Sequence, residues 1–244
     1  MPAPSVTCVV PARLDSGRFP GKLIRPLAGV PVIVRALRRA REAACFDRIL
    51  CLTDSAEIAS LAREDGFEAL LGGPARNGTE RIALAIDAIG AGLVVDLQGD
   101  EPVFPPEALR MLARALSEHP GEVHVPVHSG EVSAADLADP HRVKAGLDAA
   151  GFVVDFYRDS PRRPVAVSRL QMGAYGYSRD FLRAYAAMPV SARETAEGHE
   201  LLRDLDFMPI RAHACHQPSQ AVDVPRDMDA ALALLPETAG APGK

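Results

Sequence analysis

Four short, largely apolar runs separated by segments of helical period restrict this chain to few folds. Val6–Val10, Ile49–Leu52, Phe67–Leu71 and Leu93–Leu97 have strand length. Between the first two, Val30–Ala44 places Ile33, Val34, Leu37, Ala40 and Ala44 on one helical face, with Arg35, Arg38, Arg39 and Arg41 outside it. Thr53-Asp54-Ser55 caps a helix over Ala56–Glu64, and a further helix covers Thr79–Ile89. Pro105 and Pro106 open another, to His119. Strands alternating with helices predict a parallel sheet wound with crossovers, which binds ligands beyond the carboxyl ends of its strands. The loops after the first, third and fourth strands leave from that edge, so their polar clusters share one crevice.

The second half is less regular. Val123–Val127 reads as a strand, and Val143–Leu147 with Phe152–Phe156 as a β-hairpin turning at Asp148–Gly151. Met172–Tyr177 and Met208–Cys215 are further strands. Ser178 caps a helix to Ala187, and Ser191–Glu194 has a capping-box pattern before a helix ending near Leu205. Pro225 opens a last amphipathic helix through Met228, Leu232 and Leu235, and Pro236–Lys244 reads as a frayed tail.

The loop after the first strand carries Arg13, Arg18 and Lys22, with Gly17, Pro20 and Gly21 to bend it. Fixed cations and backbone N–H groups suit a polyphosphate there, and an ordinary basic surface loop is the alternative. Net charge is −5, so the cations are local chemistry and not a face for nucleic acid. Of 27 basic residues only Lys22, Lys144 and Lys244 are lysines, so the first two stand out as compact point charges. Asp100 and Glu101 follow the fourth strand directly. They read as ligands for Mg²⁺, a hard cation, or as a capped turn. Asp223, before Pro225, reads as a cap. Thr79 and Arg81 open a helix after the loop Gly72–Gly78, facing a nucleotide or only starting the helix. There is no GxxxxGK[ST] and no GxGxxG after the first strand. The four cysteines have no zinc spacing, and no apolar run has membrane length, so a reducing cytoplasm is the expected location.

Taken in order, Pro11-Ala12-Arg13 with Phe19-Pro20-Gly21-Lys22, Asn77-Gly78-Thr79-Glu80-Arg81, and Gln98-Gly99-Asp100-Glu101-Pro102 resemble the CMP-Kdo synthetases, the 3-deoxy-manno-octulosonate cytidylyltransferases. Asp139-Pro140, Val143-Lys144, Gly173–Tyr177, Glu200–Arg203 and Val222–Asp227 extend the resemblance over nearly the whole chain. It implies one doubly wound, mainly parallel α/β sheet of the nucleotide-diphospho-sugar transferase kind, with a hairpin-containing acceptor and dimerisation region. The expected division is a nucleotide half over 1–120, an acceptor half over 121–222 and a closing helix over 223–236, with 237–244 a flexible tail. The implied activity is transfer of CMP from CTP to an acid, with pyrophosphate released, by a homodimer. The resemblance further implies that Arg13, Lys22, Asp100 and Asp223 are catalytic and that Asp100 and Asp223 hold Mg²⁺. Pro11, Ala12, Arg13, Lys22, Asn77, Thr79, Gln98 and Asp100 would bind the nucleotide. Gln98, Lys144, Arg158, Gln171, Tyr175 and Glu200 would bind the acceptor.

Departures from the family pattern fall mainly in the acceptor half. Gln171 stands where the pattern has His, Tyr157 where it has Ser, and His199-Glu200-Leu201-Leu202-Arg203 where it has Leu-Glu-Gln-Leu-Arg. These favour a small anionic acceptor, a phosphonate such as phosphonoformate, anchored by Lys144, Arg158 and Arg162 or Arg163. Kdo itself is the alternative. A non-catalytic nucleotide-binding regulator and a glycosyltransferase are readings from other classes. The first expects loss of Lys22 or a carboxylate, and the second expects a DxD motif that Gln98-Gly99-Asp100 is not.

Overall fold

The computed structural model describes residues 5–203, 205 and 207–235. The first apolar run forms β1 (Val6–Ala12), buried throughout. A 3-10 turn over Lys22–Ile24 and a two-residue ladder, β2 (Pro26–Leu27) with β3 (Val30–Pro31), lead into α1 (Val32–Ala43). Then follow β4 (Arg48–Thr53), α2 (Ala56–Glu64), β5 (Glu68–Leu71), α3 (Gly78–Ile89), β6 (Leu93–Leu97) and α4 (Pro106–Glu118). Local chemistry sets these ends. Ser55 caps α2 by accepting from the Ile58 amide at 3.3 Å, and Asn77 caps α3 by accepting from Glu80 N at 2.7 Å.

The second half contributes β7 (Val123–His128), α5 (Ala134–Ala138), β8 (Lys144–Leu147), β9 (Val153–Tyr157), β10 (Val167–Leu170), β11 (Ala174–Ser178), α6 (Arg179–Ala187), α7 (Ala192–Glu197), β12 (Ile210–Cys215) and α8 (Asp227–Ala233). The main sheet has the order β12-β7-β11-β6-β1-β4-β5. It is parallel except for β11, which lies antiparallel between β6 and β7. The chain runs from β1 outward through β4 to β5, then returns across β1 to β6. The strand order therefore reverses between β1 and β6, where open α/β sheets form their ligand crevice.

Strand alternation divides the core between the two faces. Val6, Cys8, Val10 and Ala12 of β1 pack with α1, α2 and α4, whereas Val9 packs with α3 and α6 on the other face. A second sheet, β10-β8-β9, is antiparallel, and its hairpin turns at Asp148–Gly151 with Gly151 at φ +85°.

The structure departs from the sequence reading in several places. The helix expected to reach Leu205 ends at Glu197, because Gly198 takes φ +62° and a 3-10 turn over Glu200–Arg203 follows. Only half of the capping box at Ser191 closes: Ser191 accepts from Glu194 N at 3.0 Å, while the Glu194 carboxylate turns to Arg203 and Asn77. The full box lies unpredicted at Ser133 and Asp136, ahead of α5. β10 and the β2–β3 ladder were also not foreseen. The tail expected over Pro236–Lys244 lies outside the described residues.

The close approach of β1 and β6 needs a residue without a side chain just past β6. A Cβ on Gly99 would stand 2.9 Å from the Pro11 carbonyl oxygen and 3.0 Å from Ile33 Cδ1. Gly99→Ala is predicted to destabilise the protein by about 1–3 kcal/mol, read as a lowered midpoint in urea with an unchanged slope.

Candidate active site

A cavity of about 1080 Å³ opens at the carboxyl ends of β1 and β6. It is lined by Pro11-Ala12-Arg13, Ala75–Gly78, Gln98–Glu101, Gln171–Gly173, Tyr175 and Gly198–Glu200. The three polar clusters expected to share a crevice do so. Arg13 lines it and is exposed, with no hydrogen bond or ion pair to another described residue.

At the mouth, Lys22 Nζ donates to Asp100 Oδ2 at 2.5 Å and to Asp223 Oδ1 at 3.0 Å. Arg18 reaches the same Asp223 oxygen at 2.9 Å. Asp223 is brought there by backbone pairing, since Val222 N donates to the Asp100 carbonyl at 2.8 Å. Burial disfavours charge on Asp223, but Lys22 and Arg18 outweigh it and hold the carboxyl below the usual aspartate range. Lys22 shows the same contest: burial opposes its charge, and the two carboxylates raise its pKa above the ordinary lysine value.

Among the described residues no three His, Cys, Asp or Glu side chains gather as a metal cage. Two carboxylates converging on one cationic point instead suit Mg²⁺ that takes its other ligands from substrate phosphates and water.

Several side chains assigned to the nucleotide lie in or behind the wall. Thr79 is fully buried and does not line the cavity; its hydroxyl lies 2.8 Å from Tyr177 OH and donates to Glu200 at 3.0 Å. Asn77 lines the cavity, but its amide caps α3 and donates to Tyr185 OH and Glu194, each at 3.2 Å. Gln98 Nε2 donates to both oxygens of buried Asp96, at 3.1 and 3.0 Å. Burial pushes Glu200 up to about 7, and burial followed by the Glu200 charge pushes Asp96 well above the carboxylate range.

The acceptor assignments divide similarly. Gln171, Tyr175, Arg158 and Glu200 line the cavity. Lys144 does not: it is fully buried and donates to the carbonyls of Asp139 at 3.0 Å and Arg158 at 2.5 Å. The Arg158 guanidinium is held by the carbonyls of Glu197 and Pro140, both at 2.7 Å. Arg162 pairs with Glu197, and neither Arg162 nor Arg163 lines the cavity. Leu201 is buried in the core, so its replacement of an amide does not alter the wall. His199 lines the cavity and was not singled out from sequence; its signal was the departure from Leu at that position.

Over residues 7–208 the chain matches the family model described as cytidylyltransferase. It is 36% identical over 238 residues to the 3-deoxy-manno-octulosonate cytidylyltransferase of Anaeromyxobacter sp. strain Fw109-5, covering 94% of this chain and 96% of that one. It is 34% identical over 237 residues to the 8-amino-3,8-dideoxy-manno-octulosonate cytidylyltransferase of Shewanella oneidensis, covering 92% and 96%. Among solved structures, a CMP:2-keto-3-deoxy-manno-octonic acid synthetase complexed with CTP matches at a TM-score of 0.84 and 28% identity, covering 94% of this chain and 98% of that one. A cytidylyltransferase from Leptospira borgpetersenii, at 14% identity and a TM-score of 0.61 over 88% of this chain and 77% of that one, shares the fold.

Sheet and cavity thus define a nucleotidyltransferase, an enzyme rather than a silent binding module. The chain belongs to the cytidylyltransferase family, among the CMP-Kdo synthetases, and uses CTP.

The ion cluster predicts a pH response. With its pKa lowered on folding, Asp223 contributes stability that is complete above the ordinary aspartate pKa and lost as pH falls through the depressed value. Lys22→Met removes the larger opposing charge. The Asp223 carboxyl should then titrate at higher pH than in the wild type, followed by carbon-13 NMR, and the part of the acid-induced loss of stability that Asp223 contributes should shrink.

Proposed function

We propose that the protein transfers CMP from CTP to a 3-deoxy-octulosonate sugar acid, releasing pyrophosphate, with Mg²⁺ entering alongside the nucleotide. The observation that carries this reading is the junction of Lys22, Asp100 and Asp223 at the mouth of a cavity roomy enough for both substrates. Gln171, Tyr175, His199 and Glu200 bring amide, phenol, imidazole and carboxyl groups to the same cavity, which suit a polyhydroxylated acid.

In the reaction an acceptor hydroxyl oxygen, its proton passing to solvent, attacks the α-phosphorus in line. The new P–O bond forms as the bond to the β-phosphate oxygen breaks, and pyrophosphate departs. Arg13, without a side-chain partner among the described residues, and Lys22 bind phosphate oxygens and offset the charge that builds on them. Asp100 and Asp223 would hold Mg²⁺, whose contribution when bound is to polarise and neutralise the phosphate oxygens. Glu200, with its pKa near 7, exchanges hydrogen bonds with acceptor hydroxyls in either protonation state. The walls hold the acceptor oxygen and α-phosphorus in register, so positioning supplies much of the rate.

A phosphonate acceptor gains no such support. Of the anchors named for it, Lys144 is tied to backbone carbonyls and Arg162 to Glu197, and the matched relatives are named for octulosonates.

The test is pyrophosphate release with CTP, Mg²⁺ and, in turn, Kdo, 8-amino-Kdo and phosphonoformate. One of the sugar acids should give the highest kcat/KM; a higher value for phosphonoformate would overturn the reading. Asp100→Ala and Asp223→Ala should each lower kcat by about 10²–10³-fold in protein with a native circular dichroism spectrum. Lys22→Arg should lose about tenfold or more, because a planar fork does not fit between two carboxylates placed for an ammonium.

A further inference from the structure

The loop ahead of α3 and the segment from α7 to Glu200 both line the cavity, and a buried ion pair joins them. Glu194, 7% exposed, receives Arg203 on both carboxylate oxygens, Nε at 2.8 Å and Nη2 at 2.5 Å. Arg203 is 3% exposed and lies over the Tyr185 ring, with Cζ 4.1 Å from the centroid. Its Nη1 is buried and has no hydrogen-bond partner among the described residues. Asn77 Nδ2 donates to Glu194 Oε1 and to Tyr185 OH, each at 3.2 Å, which turns Asn77 Oδ1 to the Glu80 amide, 2.7 Å away, as the cap of α3. Within the loop the Arg76 amide donates to the Glu80 carboxylate at 2.7 Å, so the loop and the first turn of α3 form one piece.

Replacing a buried ion pair by well-packed apolar side chains is commonly neutral or stabilising. Stability therefore does not account for this pair, which leaves a guanidinium nitrogen unsatisfied. What apolar side chains could not supply is an acceptor of fixed direction. The two ends of an asparagine amide are nearly alike in shape, so its hydrogen-bond partners decide which end faces the helix. Arg203 fixes the Glu194 carboxylate, the carboxylate and Tyr185 OH fix the Asn77 amide, and the amide fixes the start of α3.

The geometry points to Glu194 as a positioning residue for the transfer reaction: paired with Arg203, it holds Asn77 and so sets the loop ahead of α3 in register with the segment that carries Glu200. This rests on the reading of the cavity as a site of cytidylyl transfer. Thr79 and Glu200 tie the same two segments at a second point, so loss of Glu194 loosens the register without releasing the loop. A loosened register costs alignment of the reacting atoms, and hence kcat, more than it costs binding of either substrate.

The experiment measures steady-state pyrophosphate release with CTP and the acceptor that the wild type uses best. It compares the wild type, Glu194→Leu with Arg203→Met, Asn77→Ser, and all three changes together. The paired change removes both charges, so neither is left uncompensated in the interior. Serine keeps an oxygen that can cap α3 and removes the amide donor. Each should lower kcat about tenfold with both KM values within about threefold of the wild type, and the triple variant should lose no more than either. Unchanged kcat in either variant overturns the proposal. So does a rise in one substrate's KM alone, which would mark a direct contact, or an about hundredfold loss in the triple variant, which would make the two sites independent. Should the paired variant not melt cooperatively, Asn77→Ser decides alone by the same criteria. Amide hydrogen exchange over residues 75–79 is followed in parallel and should rise in both variants; unchanged exchange there overturns the proposal whatever the turnover. A wild type that releases no pyrophosphate with Kdo, 8-amino-Kdo or phosphonoformate fails the transfer reading instead, so the two failures are distinct.

Discussion

Two carboxylates from distant parts of the chain meet on one ammonium, and the architecture around the cavity depends on that meeting. Asp100 follows the central strand β6, and Asp223 returns from beyond β12, yet both lie within 3.0 Å of Lys22 Nζ. Without the lysine, the carboxylates would repel each other at a poorly solvated strand edge. Without the carboxylates, an ammonium only 8% exposed would lack compensation. Each charge is tolerable because the other two are present. Backbone pairing of Val222 with Asp100, and the absence of a side chain at Gly99, make the approach possible.

Behind the cavity wall runs a second polar system with different logic. Asp96 with Gln98, and Thr79 with Tyr177 and Glu200, form two hydrogen-bonded groups on the α3–α6 face of the sheet, coupled through the charges of Asp96 and Glu200. It contains two buried carboxyls and no buried cation to match them, so both pKa values rise. Such a network holds side chains in place more than it stabilises the fold. Its effect is to turn Gln98 and Glu200, both on the cavity, into groups with fixed orientation.

The sequence made the parallel half legible because burial leaves a periodic mark. Runs such as Val6–Val10 and Leu93–Leu97 declare strands, and Thr53-Asp54-Ser55 declares a helix start. The second half was less legible where one backbone conformation decided the outcome. Gly198 at φ +62° divides a stretch whose composition favours helix throughout. Site residues were legible by chemical type and position along the chain, but not by direction. Thr79 sits in the right motif yet points beneath the wall. Lys144, conspicuous as one of three lysines, is a staple between two loop carbonyls.

Direction also decides which departures from the family pattern bear on the acceptor. The exchange of an amide for Leu201 looked like the loss of a ligand contact, but the side chain faces the core, where leucine is the less costly occupant. Gln171 and His199 line the cavity, and both neighbour Tyr175. One gives up an imidazole and the other supplies one, so the number of polar groups on that wall is kept. A pocket remodelled for a much smaller acid would be expected to fill with bulk or to expose free cations. Here the cavity has about 1080 Å³, Arg158 is bound to carbonyls, and Gln171 and His199 both carry hydrogen-bonding groups. That pattern fits a wall re-registered around a hydroxylated acceptor better than one rebuilt for a compact anion.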